Sequence, residues 1–169
     1  MSTVIASVDV RVPVRTAYNQ WTQFETFPQF MSGVESVRQV DDRHLHWETR
    51  VGGVHRAFDT EIIEQRPDDR IAWRSTDGDV KHSGVVLFSR VSDDASRVTV
   101  HLSWEPKGVI EHTGSALGLD RHRVRVDTDR FKEFIEERGS ETGQWRGSRG
   151  ACEHWQDIAH SDCESEWFV

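Results

Sequence analysis

The sequence predicts an α+β fold, in which an antiparallel sheet of about seven strands packs against one long C-terminal helix, with short helices after the first strand. Three observations predict it. Apolar and polar residues alternate over most of the stretch from residue 4 to residue 104, as they do in half-buried strands. Short turns separate these runs from residue 33 on, so neighbouring strands run antiparallel. A later stretch has its apolar residues at helical spacing and needs an apolar partner, which the sheet provides.

The first strand covers residues 4–12, where valine and alanine occupy every second position. Pro13 ends this strand and suits the first turn of a helix. Apolar residues at helical spacing predict that helix over residues 14–24, and Pro28 confines residues 25–31 to a separate helical turn or loop. Six further strands follow, and Gly52-Gly53 is a hairpin signal between the second and the third of them. We predict these six at residues 35–40, 44–51, 54–65, 70–75, 81–91 and 97–104.

The clearest helix of the chain is predicted at residues 119–138. Asp120 can cap its start, Arg138 lies in its last turn and Gly139 is a C-terminal stop. One face is apolar while acidic and basic residues fill the other, so the helix is amphipathic. The apolar positions in and just before this helix are Leu117, Val124, Phe131, Phe134 and Ile135.

The sequence divides the chain into a folded domain at residues 1–139 and a remainder at residues 140–169. Residues 140–150 are rich in Gly and Ser, which indicates a linker, and we expect a disordered tail after it in preference to a weakly packed appendage. Four possible zinc ligands lie in that tail, but their spacing fits no common zinc finger, so we predict no metal site. They are Cys152, His154, His160 and Cys163.

Composition and charge exclude several classes of protein. The formal net charge of -8 disfavours nucleic acid as a partner, because an acidic surface repels phosphates. The sequence has no apolar run of membrane-spanning length and no signal peptide, so we expect a cytoplasmic protein without stable membrane insertion. Neither cysteine lies in the predicted domain, which fits that compartment. No Gly-rich phosphate loop or zinc-protease motif is present, and we predict no cofactor. The oligomeric state is left open.

Strand alternation also separates the face of the sheet that meets the helix from the opposite face. The helix-facing set carries tryptophan, phenylalanine and β-branched residues, and its polar groups are hydroxyls. Indole rings give a ligand large apolar walls and an N–H donor, and hydroxyls can orient a ligand oxygen. The alternative is that these side chains simply fill a core.

Several motifs resemble the polyketide cyclase/dehydrase group of the START-like (SRPBCC) superfamily. They are residues 13–31 (PVRTAYNQWTQFETFPQFM), 64–73 (EQRPDDRIAW), 105–108 (EPKG), 117–120 (LGLD), 123–124 (RV) and 130–136 (RFKEFIE). The resemblance covers about residues 3–138 and implies a helix-grip fold, in which the sheet wraps the long helix around a deep hydrophobic cavity. Members of the group bind lipids, sterols, quinone-like molecules or polyketides, and a minority catalyse cyclisation, dehydration or aromatisation.

The face assignment and the resemblance together predict a ligand site between the sheet and the long helix. We predict its residues as Trp47, Thr49, Phe58, Thr60, Trp73, Ser75, Val86, Phe88, Leu102, Trp104, Val124, Thr128 and Phe131.

Candidates for acid–base chemistry are weaker, and no catalytic residue is assigned. Isolated hydroxyls are poor general bases at neutral pH. His55, His82 and His112 fall in predicted turns or at strand ends and are expected to be solvated. Asp127 is expected on the solvated face of the long helix, opposite its apolar stripe.

Three functions remain open on the sequence. The first is binding of a hydrophobic, aromatic or polycyclic small molecule, which the absence of charged groups from the inner face favours. The second is a cofactor-free polyketide cyclase/dehydrase, which a charged or imidazole group inside the cavity would favour. The third is an interaction or chaperone-like module with a filled core.

Overall fold

The computed structural model of the protein describes residues 2–78, 81–105 and 121–148. Its elements follow the predicted order closely. They are β1 (Ser2–Val10), α1 (Val14–Trp21), a short 3₁₀ helix (Phe24–Gln29), β2 (Val34–Gln39), β3 (His44–Val51), β4 (Val54–Arg66), β5 (Arg70–Asp77), β6 (His82–Ser92), β7 (Ala95–Trp104) and α2 (Arg121–Arg138).

All seven strands form one antiparallel sheet in the order β1-β7-β6-β5-β4-β3-β2. The six strands from β2 to β7 make the predicted meander. β1 lies beside β7, with Val4 opposite Leu102, so the first strand is joined to the last through a long-range pairing. The local alternation of apolar and polar residues does not specify this pairing, because about a hundred residues separate the paired positions.

α2 covers part of the inner face with the stripe that its sequence predicts. Val124, Thr128, Phe131 and Ile135 are buried, at spacings of three and four residues. The helix is also tied to the end of β1, since the Lys132 ammonium donates to the backbone carbonyl of Asp9 at 2.9 Å. The predicted helix start at residues 119 and 120, with its Asp120 cap, lies outside the described residues. No helix in the described part of the chain has both the length and the apolar composition of a membrane span.

Irregularities in the pairing of β4 with β5 change the alternation that the sequence suggests. The pairing with β5 shifts register between Asp59 and Thr60 and again between Ile62 and Glu64. Phe58, Thr60 and Ile62 nevertheless face inward as predicted. Beyond the second shift Gln65 is the buried residue, at 2% exposure. The extra residue of a bulge moves the following side chains to the opposite face.

Residues 140–148, which we call the C-terminal strap, pack against α1. They form neither helix nor strand, but their hydrogen bonds satisfy buried polar groups of α1. Asn19 donates to Glu141 at 2.8 Å, and the Thr142 backbone N–H donates to the Gln20 side-chain carbonyl at 2.9 Å. Sequence analysis did not predict these contacts. The interpretation of residues 149–169 as a disordered tail stays a prediction, since those residues and the possible zinc ligands among them lie outside the described residues.

Arg146 anchors the C-terminal end of the strap by hydrogen bonds. Its guanidinium donates to both carboxylate oxygens of Asp68, at 2.9 and 2.8 Å, and to the side-chain carbonyl of Asn19 at 2.8 Å. The same group lies over the ring of Tyr18, 5.7 Å from its centroid. One side chain of the strap thereby links α1 to the turn between β4 and β5. The packed part of the chain thus extends to at least residue 146.

Candidate functional site

A cavity of about 140 Å³ lies between the inner face of the sheet and α2. Its wall is mostly apolar, and it contains most of the predicted ligand-binding residues. Those that line it are Trp47, Thr49, Phe58, Thr60, Trp73, Val86, Leu102, Val124 and Thr128.

The other four predicted residues lie elsewhere. Phe88 and Phe131 belong to the closed core, where Phe88 contacts Tyr18 with ring centroids 5.3 Å apart and Phe131 contacts Phe30 at 5.2 Å. Ser75 and Trp104 line a separate cleft that adjoins the cavity. Alternation identifies the inward face at these positions correctly, but it does not say which stretch of that face is covered by other side chains.

The first helices supply a wall that sequence analysis did not assign to the site. Trp21, Phe24 and Phe27 line the cavity, as does Met31 just after the 3₁₀ helix. Trp21 also touches Phe131, with centroids 5.4 Å apart, so the same aromatic groups fill the core beside the cavity. The helical spacing of these residues could have identified them as inward-facing, although not as ligand contacts.

Trp47 holds a fixed orientation in the wall. Its indole N–H donates to the Thr60 hydroxyl at 2.8 Å, and its ring stacks on Phe58 with centroids 6.0 Å apart and planes inclined by 13°. Thr60 is fully buried. Because Thr60 accepts this bond, its own hydroxyl proton remains available for a ligand oxygen.

The two other threonines of the cavity form hydrogen bonds with backbone carbonyls. Thr49 donates to the carbonyl of Arg56 at 3.4 Å, and Thr128 donates to the carbonyl of Arg125 at 2.8 Å. The Thr128 hydroxyl is therefore satisfied within its own helix, and both oxygens keep lone pairs that can accept from a ligand.

His82 lines the cavity, so the expectation that it is a solvated histidine is wrong. β5 ends at Asp77, and Gly78 follows with φ 115°, a conformation that suits glycine. A Cβ on Gly78 would come within 2.8 Å of the Phe58 Cβ, so the turn passes close to Phe58. The His82 ring meets the Phe58 ring edge-on. Burial lowers the pKa of His82 to about 4, so the imidazole is neutral at pH 7. Its buried Nε2 has no hydrogen-bond partner among the described residues.

His55, in contrast, is exposed as expected, and His112 lies outside the described residues.

Asp127 also differs from the prediction, because it lines the cavity and is half-buried. Burial raises the pKa of its carboxyl, although the backbone N–H and hydroxyl of Ser32 donate to it, at 3.2 and 3.3 Å, and the charges of Arg123 and Arg130 oppose the rise. Arg123 lines the same part of the wall, beside Gly33. The inner site therefore contains an imidazole, a carboxylate and a guanidinium, where the sequence indicated hydroxyls alone. No cluster of His, Cys, Asp or Glu in the described parts of the chain is arranged to hold a metal ion.

A curled antiparallel sheet closed by a C-terminal helix over an apolar cavity is the helix-grip architecture. Residues 10–136 match the family described as polyketide cyclase / dehydrase and lipid transport. The chain belongs to this family. The resemblance found in the sequence is confirmed, and the fold is the helix-grip α+β fold of START-like proteins.

The chain is also similar to one curated protein in sequence and to solved structures in fold. The chain is 53% identical over 148 residues to an uncharacterized 17.2 kDa protein of the melC2-rnhH intergenic region of Streptomyces lincolnensis, covering 88% of this chain and 99% of that protein. A START superfamily protein from Mycobacterium smegmatis has the same fold, with a TM-score of 0.65, 16% identity, and coverage of 80% of this chain and 95% of that one.

The di-domain ARO/CYC protein BexL from the BE-7585A biosynthetic pathway also shares the fold. Its TM-score is 0.61 and its identity 16%, over 80% of this chain and 47% of that one. A hydrophobic-ligand-binding or cyclase role follows from the family, and no ligand is specified by it.

Proposed function

We propose that the protein binds a small hydrophobic molecule with an aromatic ring in the cavity between the sheet and α2. The observation that carries the proposal is a largely apolar cavity in which a few hydrogen-bonding groups are placed among aromatic walls. Ligand sites commonly have this composition, because apolar area supplies affinity and a few polar groups fix orientation. Trp47 and Phe58 offer flat surfaces, and the Thr60 hydroxyl can donate to a ligand oxygen.

The size of the cavity supports a smaller ligand than a polycycle. Its volume is about 140 Å³. An engineered apolar cavity of about 150 Å³ takes up benzene, so this one matches a single ring or a short acyl chain. A molecule with several fused rings requires side chains to move outward first.

Titration with 4-propylphenol tests the proposal, with tryptophan emission as the signal because Trp21, Trp47 and Trp73 line the cavity. We expect a saturable change. Val100→Phe, which puts a ring into the cavity, should weaken binding at least tenfold. Val91→Phe makes the same substitution at an exposed position and should have no effect. Equal affinities of the two variants, measured after both are shown to fold, would contradict the proposed site.

A second candidate, the cofactor-free polyketide cyclase/dehydrase, is favoured by one observation, the neutral imidazole of His82 inside the cavity. A neutral imidazole can accept a proton from the carbon between two carbonyls, and the resulting enolate can add to another carbonyl of the same chain. A pKa of about 4 makes His82 a weaker base than an ordinary histidine, so we rank this candidate below binding.

The two candidates differ in what His82→Gln changes. A linear poly-β-ketone thioester is incubated with the wild type and with the variant, and cyclised product is measured against the uncatalysed rate in buffer. If the protein only binds, neither the wild type nor the variant accelerates cyclisation over the rate in buffer. If the protein is an enzyme, the wild type accelerates cyclisation. Loss of this acceleration in His82→Gln with unchanged thioester affinity would replace the binding proposal by the second candidate.

A cytoplasmic location stays a prediction from the sequence.

A further inference from the structure

A second cleft, of about 350 Å³, lies where the inner face of β5, β6 and β7 ends. It differs from the apolar cavity in that hydroxyl and charged groups make up much of its wall. Ser75 from β5, His82 from β6 and Trp104 from β7 contribute its inward-facing side chains.

The cleft continues the cavity along the same face of the sheet. Trp73 and Leu102 line the cavity, and the next inward positions on their strands, Ser75 and Trp104, line the cleft. His82 lines both spaces and is directly opposite Trp104 in the β6–β7 register. His82 is therefore the junction between the apolar and the polar space.

Two buried nitrogen atoms at this junction lack partners in the part of the chain that the structure describes. The His82 Nε2 and the Trp104 Nε1 form no hydrogen bond with any described residue. Buried polar atoms are rarely left unsatisfied, since water is no longer there to replace a missing partner. The indole N–H can only donate, whereas a neutral imidazole nitrogen donates or accepts according to its tautomer. A ligand hydroxyl or carbonyl is the chemistry that meets both requirements.

The charges around the cleft indicate that this polar group is uncharged. Arg74 donates twice to Glu61, at 3.2 and 2.9 Å, so its charge is already balanced. The other charged residues that line the cleft are Lys81, which is positive, and Asp77 and Glu105, which are negative. The described wall therefore has no net positive charge and does not attract an anion such as a phosphate or a carboxylate. A group that accepts from the indole N–H and is not an anion is a neutral oxygen.

We propose that the ligand is amphiphilic, with its ring or short acyl chain in the apolar cavity and a neutral hydroxyl or carbonyl arm that hydrogen-bonds to His82 and Trp104 and extends into the cleft. This inference rests on the proposed function, because the apolar part must occupy the cavity.

A matched pair of ligands tests it by calorimetric titration of the full chain. Butylbenzene has only the apolar part, and 4-phenylbutan-1-ol adds one hydroxyl to it. His82→Phe and Trp104→Phe remove the ring nitrogens from the junction while keeping an aromatic ring, and Trp145→Phe is a control in the C-terminal strap. We expect each junction variant to weaken the alcohol about three- to tenfold, as for the loss of one hydrogen bond. Because His82 also lines the apolar cavity, the affinity of each variant for butylbenzene is the reference, and the loss for the alcohol is measured as the change in the ratio of the two affinities.

The outcomes separate this inference from the proposed function. Selective weakening of the alcohol in both junction variants supports it. Binding of both ligands with equal changes in every variant overturns the amphiphilic arm and leaves the apolar site in place, whereas binding of neither ligand overturns the proposed function as well.

A nuclear magnetic resonance measurement on the wild type avoids dependence on the folding of the variants. The ¹⁵N resonances of the His82 imidazole, assigned with His82→Gln, should move further on addition of the alcohol than on addition of butylbenzene, because only the alcohol forms a hydrogen bond. Unmoved resonances at saturating alcohol would also overturn the inference.

Discussion

The imidazole of His82 meets the ring of Phe58 edge-on, with centroids 4.9 Å apart and planes inclined by 85°. This contact, at the start of β6, contributes to the burial of the imidazole. The largest effect on its titration is that loss of solvation, which disfavours the charged form and lowers its pKa. His82 thereby becomes a neutral group at the junction between the cavity and the cleft.

The first prediction concerns stability below neutral pH. His82 binds a proton below about pH 6.5 in the unfolded chain and below about pH 4 in the folded protein. Between these values the unfolded state binds more protons, so the free energy of unfolding falls as the pH is lowered through this window. We expect a contribution of about 2 kcal/mol to the loss between pH 7 and pH 5.

Urea unfolding of the wild type and of His82→Phe at several pH values measures this contribution. The variant should show a shallower decline, since it lacks the titrating group. Parallel declines of the two proteins would mean that His82 is accessible to protons in the folded state.

The second prediction concerns the ion pair that fastens the C-terminal strap. Arg146 and Asp68 form a bidentate pair in which both side chains are largely shielded from solvent, with exposures of 24% and 34%. Arg146→Met removes the charge but keeps most of the side-chain length, and should lower the free energy of unfolding by about 1–2 kcal/mol.

Arg90→Met is the matched control, because Arg90 pairs with Asp93 on an exposed hairpin, where the side chains are 64% and 87% exposed. Exposed pairs contribute little, so this variant should stay within about 0.5 kcal/mol of the wild type. Equal effects of the two variants in chemical denaturation would indicate that the strap adds no specific stability.

The third prediction concerns the close approach of Trp73 to Gly84. A Cβ on Gly84 would come within 2.3 Å of the Trp73 ring, so Gly84→Ala requires the indole to move. Overpacking of this kind costs about 1–3 kcal/mol. We expect a lower melting temperature and a shifted tryptophan emission maximum, because Trp73 lines the cavity. Ser83→Ala, at the exposed neighbouring position, should change neither quantity. A Gly84→Ala variant with the melting temperature and emission maximum of the wild type would contradict the close contact.

The fourth prediction concerns the hydroxyl on the buried face of α2. Thr128 donates to the carbonyl of Arg125 within the same helix, so the isosteric Thr128→Val breaks no contact between elements. We expect the free energy of unfolding to change by less than about 1 kcal/mol. Binding of 4-propylphenol should weaken only if the ligand donates to this oxygen. A loss of several kcal/mol on thermal unfolding would show that the hydroxyl has a structural role beyond α2.

Local pattern was enough to predict the elements and their inward faces. Alternation along β3 placed Leu45, Trp47 and Thr49 on the face that lines the cavity, and the stripe of Val124 and Phe131 placed α2 over the sheet. These predictions succeed because the side-chain period of a strand or a helix is a property of the chain itself. The charge of the chain and the motifs of its first and last helices were likewise identified from the sequence.

Tertiary structure decided which part of the inner face stays open. Phe88 and Trp47 both face inward, yet aromatic groups of α1 cover Phe88, and of these two only Trp47 lines the cavity. The approach of His82 to Phe58 across the end of β5 and the docking of Arg146 on Asp68 were equally beyond the sequence pattern. Each of these contacts joins residues far apart in the chain, so it depends on how complete elements pack, and the periodicity of one element does not encode what lies opposite it.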